Sequence, residues 1–115
     1  MLTSTLRDGS DLIEAVLDGA PEGPAIAVLR QQLEQTAAQH GGARVVVEVR
    51  RYEDPAATAD QQELRRLAGS ASVRRLVVVS PDARFRSAAE RLLAFVPIDS
   101  DVVGTRDEAL ALLDA

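Results

Sequence analysis

The chain contains no cysteine, no lysine and no tryptophan, and only two phenylalanines and one tyrosine. Without cysteine there is no disulfide framework, no thiol nucleophile and no thiolate metal site. The same absence suits a reducing compartment, so a cytoplasmic location is expected. Without lysine there is no Schiff-base amine and no phosphate-gripping lysine of the P-loop kind. All 13 basic residues are therefore arginine, set against 18 acidic ones for a net charge of −5. An acidic chain so poor in aromatics lacks both the phosphate neutralisation and the base stacking that nucleic-acid binding draws on. No apolar run approaches the ~20 residues that span a bilayer. The start of the chain has no basic segment followed by an apolar core, so neither membrane insertion nor a signal peptide is expected. A marked nucleophile–base pair, a metal-ligand cluster and a Gly-rich phosphate loop are all missing, which argues against an enzyme and against a cofactor.

What is present is an ordinary globular balance, 46% hydrophobic and 27% charged residues in 115. That length fits one domain, residues 1–115, and a core that needs no disulfide or metal. Arginine-only, alanine-rich usage is what a GC-rich genome produces.

The clearest stretch is Val73 to Leu93. Leu76 to Val79 is a continuous, valine-rich apolar run, as in a strand covered on both faces. Ser80-Pro81 follows, with Ser80 read as a helix cap and Pro81 as the first helical residue. Phe85, Ala88, Ala89, Leu92 and Val96 then recur at helical spacing. Earlier in the chain, Met1 to Arg7 alternates as an amphipathic strand, with Leu2, Ser4 and Leu6 on one side. Asp8-Gly9 is a hairpin-type turn. Residues 11–18 fit a strand or a helix, and the preceding turn favours the strand. Pro24 opens a helix whose apolar side is Ile26, Leu29, Leu33 and Ala37, and Gly41-Gly42 stops it. Val45 to Val49 is a second buried-type strand, expected beside the Leu76–Val79 strand. A loop from Tyr52 leads to a helix starting at Asp54-Pro55 or Thr58, with Leu64, Leu67 and Ala68 inward and Gly69 ending it. Pro97 breaks the following helix, 101–104 is a short last strand, and Thr105 with Glu108 forms a capping box for a final helix carrying Leu110, Leu112 and Leu113. The expectation is an α/β domain. It has a mixed, mostly parallel sheet of about five strands with an N-terminal antiparallel hairpin, and about four helices.

This order resembles that of a STAS domain, the fold of anti-sigma-factor antagonists and SpoIIAA-like proteins. The resemblance rests on Val73 to Pro81, then Ala88-Ala-Glu-Arg-Leu-Leu-Ala-Phe95, then Thr105-Arg-Asp-Glu-Ala-Leu-Ala-Leu-Leu113, which look like the last half of such domains. The Leu-Leu-Ala-Phe-Val-Pro passage is closer to the SpoIIAA-like branch. The first forty residues match in layout only. The resemblance implies a bacterial, non-enzymatic regulatory domain that binds another protein, such as a kinase, an anti-sigma factor or a membrane-associated regulator. It places partner contacts on the second helix and the loop before it, here Asp54, Thr58, Gln62, Arg65 and Arg66. Antagonists of this family carry an Asp-Ser-Ser-Gly-type turn at the start of that helix, where a serine is phosphorylated. The equivalent Asp54-Pro55-Ala56-Ala57-Thr58-Ala59 has neither serine nor glycine, and Thr58 is its only hydroxyl. Thr58 is thus the candidate phosphorylation site, with a plain helix cap as the simpler role.

A second candidate lies at the carboxyl edge of the sheet, where ligands sit in open α/β sheets. Ser80, Arg84 and Arg86 could hold an anion at a helix N-terminus; solvated arginines beside a cap are the simpler account. The alternative function is therefore a SpoIIAA-like small-molecule, anion or lipid-binding domain, which would open an apolar cavity beside Ser80 and Phe85. His40, the single histidine, falls in the last turn of a helix and reads as a surface capping residue. Glu48, Glu53 and Asp54 cluster near a strand end, but a receiver-type acidic pocket also needs a lysine. Asp99 and Asp101 read as a solvated strand edge.

Overall fold

The computed structural model describes residues 1–7, 9–19, 23–52, 66, 69–70, 72–95 and 98–114. Five strands form one sheet: β1 (Leu2–Leu6), β2 (Leu12–Gly19), β3 (Ala43–Tyr52), β4 (Val73–Val79) and β5 (Asp99–Val103), adjacent in space in that order. β1 pairs with β2 antiparallel, Leu2 opposite Leu17 and Leu6 opposite Ile13. The remaining pairs are parallel. The two valine-rich strands are neighbours, with Val46 opposite Val77 and Val47 opposite Val78. Of residues 11–18, all but Asp11 thereby resolve as strand. Its ambiguity in sequence has a plain cause. β2 is buried on both faces, Leu12 at 3% and Ile13 at 0% exposure, so its apolar residues do not alternate.

Three helices are described: α1 (Gly23–His40), α2 (Ala83–Leu93) and α3 (Arg106–Asp114). The expected helix, starting at Asp54-Pro55 or Thr58 and running up to Gly69, lies outside the described residues apart from Arg66, which is helical. β2 to β5 follow in chain order, so every crossover steps the same way along the sheet. Crossovers of one hand then put their helices on one face. α1 and α2 accordingly enter one core cluster, Ile26, Leu29, Leu33 and Ala89 packing with Ile13, Ala15, Leu17, Val45, Val49, Leu76 and Val78. α3 follows the edge strand β5. It folds back over the other face, where Ala109 and Leu113 meet Leu12, Val46, Val77 and Val79. The Cα radius of gyration, 13.0 Å, is that of a single compact body of this length, about 13 Å.

Several local expectations shift. α1 buries Thr36 beside Ile26, Leu29 and Leu33, while Ala37 is half-buried. It ends at Gly41, whose φ of +78 is the left-handed conformation that glycine takes without strain, with the Gly41 amide bonded to the Ala37 carbonyl at 2.9 Å. α2 is capped by Asp82, not by Ser80, and begins at Ala83, so Pro81 precedes the helix. The Asp82 carboxylate accepts from the amides of Arg84 and Phe85 at 2.9 and 3.4 Å. Ser80 lies one residue past the end of β4, its amide still donating to Val103 at 3.0 Å, and its Oγ accepts from the Asp82 amide rather than from an amide of α2. On α2, Leu92 is 66% exposed and Leu93 takes the inward place. β5 starts at Asp99, two residues before the expected strand. Half of the Thr105–Glu108 box is formed: the Glu108 amide donates to Thr105 Oγ1 at 3.3 Å, while the Glu108 carboxylate accepts from the threonine hydroxyl, at 3.2 Å.

Candidate functional site

Of the expected partner-contact residues, Asp54, Thr58, Gln62 and Arg65 lie outside the described residues, and so does the candidate phosphorylation site. Arg66 is described. Its exposed side chain borders a shallow pocket of about 120 Å³ between α1 and the turn leading into β4, with Arg30, Leu33, Glu34, Ser70 and Ser72 as the other walls. The turn is held from within. Ser70 Oγ accepts from the Ser72 amide at 3.1 Å, and the Ser72 carbonyl accepts from the Ala43 amide at 2.7 Å. Gly42 presses on this turn: a side chain there would stand 3.3 Å from Arg74 Cβ. The pocket brings two guanidinium groups and one carboxylate to one spot on an otherwise acidic chain.

The carboxyl-edge candidate is built differently. β4 ends by delivering Ser80, 2% exposed, into the sheet edge beside β5. Each polar atom of Ser80 is engaged: the amide with Val103, Oγ with the Asp82 amide at 3.2 Å, and the carbonyl with Arg86 Nη1 at 2.8 Å. Arg86 reaches back from α2 to do this, which places its guanidinium next to Gly104, with the Glu108 carboxylate on the same side. Arg84 is exposed on the first turn of α2. The sequence pattern of Ser80, Arg84 and Arg86 therefore assembles as Ser80 with Arg86, while Asp82 occupies the helix amides an anion would need. The corner carries carboxylates from Asp82 and Glu108 as well as guanidiniums, so its field is mixed. Phe85 is half-buried against the core.

Two side chains outside these candidates carry polar work that their sequence positions hide. Gln32 reads as part of the solvent face of α1. Its amide instead reaches the edge of the sheet, with Nε2 donating to the Ser4 carbonyl at 3.3 Å and Oε1 buried without a partner among the described residues. Asp11 accepts from Arg44 Nε at 2.8 Å and from Arg74, and Arg44 Nη1 donates to the Leu113 carbonyl at 2.6 Å. That one arginine ties the start of β2 to the end of α3. Asp101 is bonded to Arg75 at 2.7 Å across the β4–β5 pair and is not simply solvated. His40 is exposed in the last turn of α1, and Glu48 faces Arg50 at 3.7 Å. Among the described residues, no group of three or more histidine, aspartate or glutamate side chains is arranged to hold a metal ion, and no helix is long and apolar enough to cross a membrane.

Comparison with protein-family models, with curated proteins and with solved structures yields no match.

Proposed function

We propose that this chain is a STAS-like, non-enzymatic regulatory domain that acts by binding another protein, with its contact surface on the segment from Asp54 to Arg66. The observation that carries the reading is the sheet. An N-terminal antiparallel hairpin is followed by parallel strands laid down in chain order, with a final helix on the opposite face. The resemblance implies the same order of elements along the chain, a hairpin followed by strand–helix units. Arg66 adds support, being an exposed cation at the rim of a pocket rather than a core residue. A charged rim beside a shallow pocket suits recognition of a protein surface, where rim charges set encounter rate and register.

The partner class is a kinase or anti-sigma-type regulator, and Thr58 is the hydroxyl through which such a kinase would act. The test is affinity capture with the wild-type chain and with Arg65→Glu/Arg66→Glu, followed by direct binding measurement on the captured protein. Loss of binding in the double variant is expected, with unchanged circular dichroism. An interaction set indifferent to both reversals overturns the surface. Incubation with a family-type kinase and mass spectrometry on Thr58 tests the switch separately. The small-molecule, anion or lipid reading has less behind it: Asp82 already fills the helix amides beside Ser80, and the described pocket lies at Arg30 and Arg66 rather than at Ser80 and Phe85.

A further inference from the structure

The two edges of the sheet are unlike. β5 carries Asp99 and Asp101, whereas β1, Leu2-Thr3-Ser4-Thr5-Leu6, carries no charge and no proline. Charges, prolines and bulges are what keep an edge strand from pairing with another chain, and β1 has none of them. Its hydrogen-bonding geometry is fixed by its partner. The Arg7 amide donates to the Leu12 carbonyl and the Asp18 amide to the Met1 carbonyl, at 3.2 and 2.8 Å. In an antiparallel pair the bonded residues alternate, so the odd-numbered residues of β1 face β2. The peptide groups of Leu2, Ser4 and Leu6 face outward, and the Gln32 amide reaching the Ser4 carbonyl follows from this.

We propose that β1 pairs antiparallel with β1 of a second copy about a two-fold axis at Ser4, joining two sheets into one of ten strands. The sequence of β1 reads the same in both directions. Pairing about Ser4 therefore sets Leu2 against Leu6, Thr3 against Thr5 and Ser4 against Ser4. Matched threonine and apolar cross-strand pairs stabilise such a ladder, and an isologous contact closes as a dimer rather than propagating as a filament. The charges also complement one another. The same register sets Arg7 of one copy opposite Met1 of the other, and Met1 lies beside Asp18 of β2. Two strand spacings, about 10 Å, separate the two α-carbons, within the combined reach of an arginine and an aspartate. Both side chains are half exposed, Arg7 at 52% and Asp18 at 49%, and their present partners, Glu14 and Arg51, lie on the same chain at 3.5 and 3.2 Å. Two symmetric Arg7–Asp18 pairs would flank the ladder. The Ser4 carbonyl has a second lone pair to offer beside Gln32. A contact of five residues per chain lies at the small end of interface sizes, so the association is concentration-dependent.

Sedimentation equilibrium over a wide concentration range tests this, with hydrogen exchange read at single amides. The mass is expected to rise from 12.3 kDa toward twice that value. The Leu2, Ser4 and Leu6 amides should gain protection as it does, while those of Thr3 and Thr5 stay protected throughout. Ser4→Pro removes only an outward amide, a change that edge strands tolerate, and should abolish the dimer. Should that variant lose its fold, the charge swap decides: Arg7→Asp and Asp18→Arg each remove both symmetric pairs and should each weaken association by up to about thirtyfold, and the double variant should restore it. A chain that stays monomeric throughout, a dimer that survives a folded Ser4→Pro, or a dimer with no new protection at Leu2, Ser4 and Leu6 overturns the proposal.

Discussion

On one face of the sheet, α1 and α2 lay Ile26, Leu29, Leu33 and Ala89 over Ile13, Val45 and Val78. On the other, the nine residues of α3 cover Leu12, Val46, Val77 and Val79 with little more than Ala109 and Leu113. Where two helices share the burial, apolar area suffices. Where, among the described residues, one short helix does it, polar ties surround the patch: Arg44 to Asp11 and to the Leu113 carbonyl, Arg106 to Glu14 at 2.6 Å, and Arg75 to Asp101. The comparison teaches that a short helix is located on a sheet by directional contacts when its apolar face is too small to fix its position. Apolar burial is roughly proportional to area and has no direction, whereas an arginine fork has fixed geometry.

The sharpest way to break the contrast is to damage the well-buried face. Ile13→Ala removes a side chain with no exposed surface and leaves a cavity beneath α1, so urea unfolding should show a loss of about 2–5 kcal/mol with an unchanged slope. Next comes the far face. Arg44→Ala deletes the tie to α3 and leaves Asp11 with Arg74 alone. A loss of about 2 kcal/mol is expected, with amide exchange rising in α3 and not in α1. A third change sharpens the contrast by improving the first face. Thr36 is fully buried and its hydroxyl has no partner among the described residues, so Thr36→Val should raise the unfolding free energy by about 1 kcal/mol in the same titration. The smallest effect belongs to Arg106→Gln. That pair joins side chains 51% and 21% exposed and should contribute under about 1 kcal/mol, lost further in high salt.

Much of this arrangement was legible in the residues, and the reasons divide cleanly. β3 and β4 announce themselves because runs of valine suit a strand covered on both sides. The first hairpin follows from alternation in β1 and a turn signal after it. The cap of α2 is hidden in the sequence because Ser80 and Asp82 are both capable caps two residues apart. Where the chain leaves the sheet decides between them: Ser80 is still bonded to Val103, and α2 begins only after Asp82. Leu92 and Leu93 are adjacent, and periodicity alone cannot say which one points inward. The least legible features are those made by side chains far apart in sequence. Nothing near Gln32 marks it as the residue that reaches the Ser4 carbonyl, and nothing near Arg44 announces Leu113. The candidate sites divide along the same line. Ser80 and Arg86 do come together, but through a backbone carbonyl, and Arg84 stays apart on the surface. The pocket at Arg30 and Arg66 joins two segments that no local pattern connects.

Strands adjacent in space in the order of synthesis let the sheet be assembled as the polypeptide leaves the ribosome, each new ribbon docking on a template already made. The face under α3 is the exception. Among the described residues, Ala109 and Leu113 are the buried helical cover of Val46, Val77 and Val79, so any excursion that lifts this one short helix lays bare a sticky valine surface on a sheet that is otherwise intact. Such a partly opened molecule, greasy on one side only, is a ready substrate for chaperones.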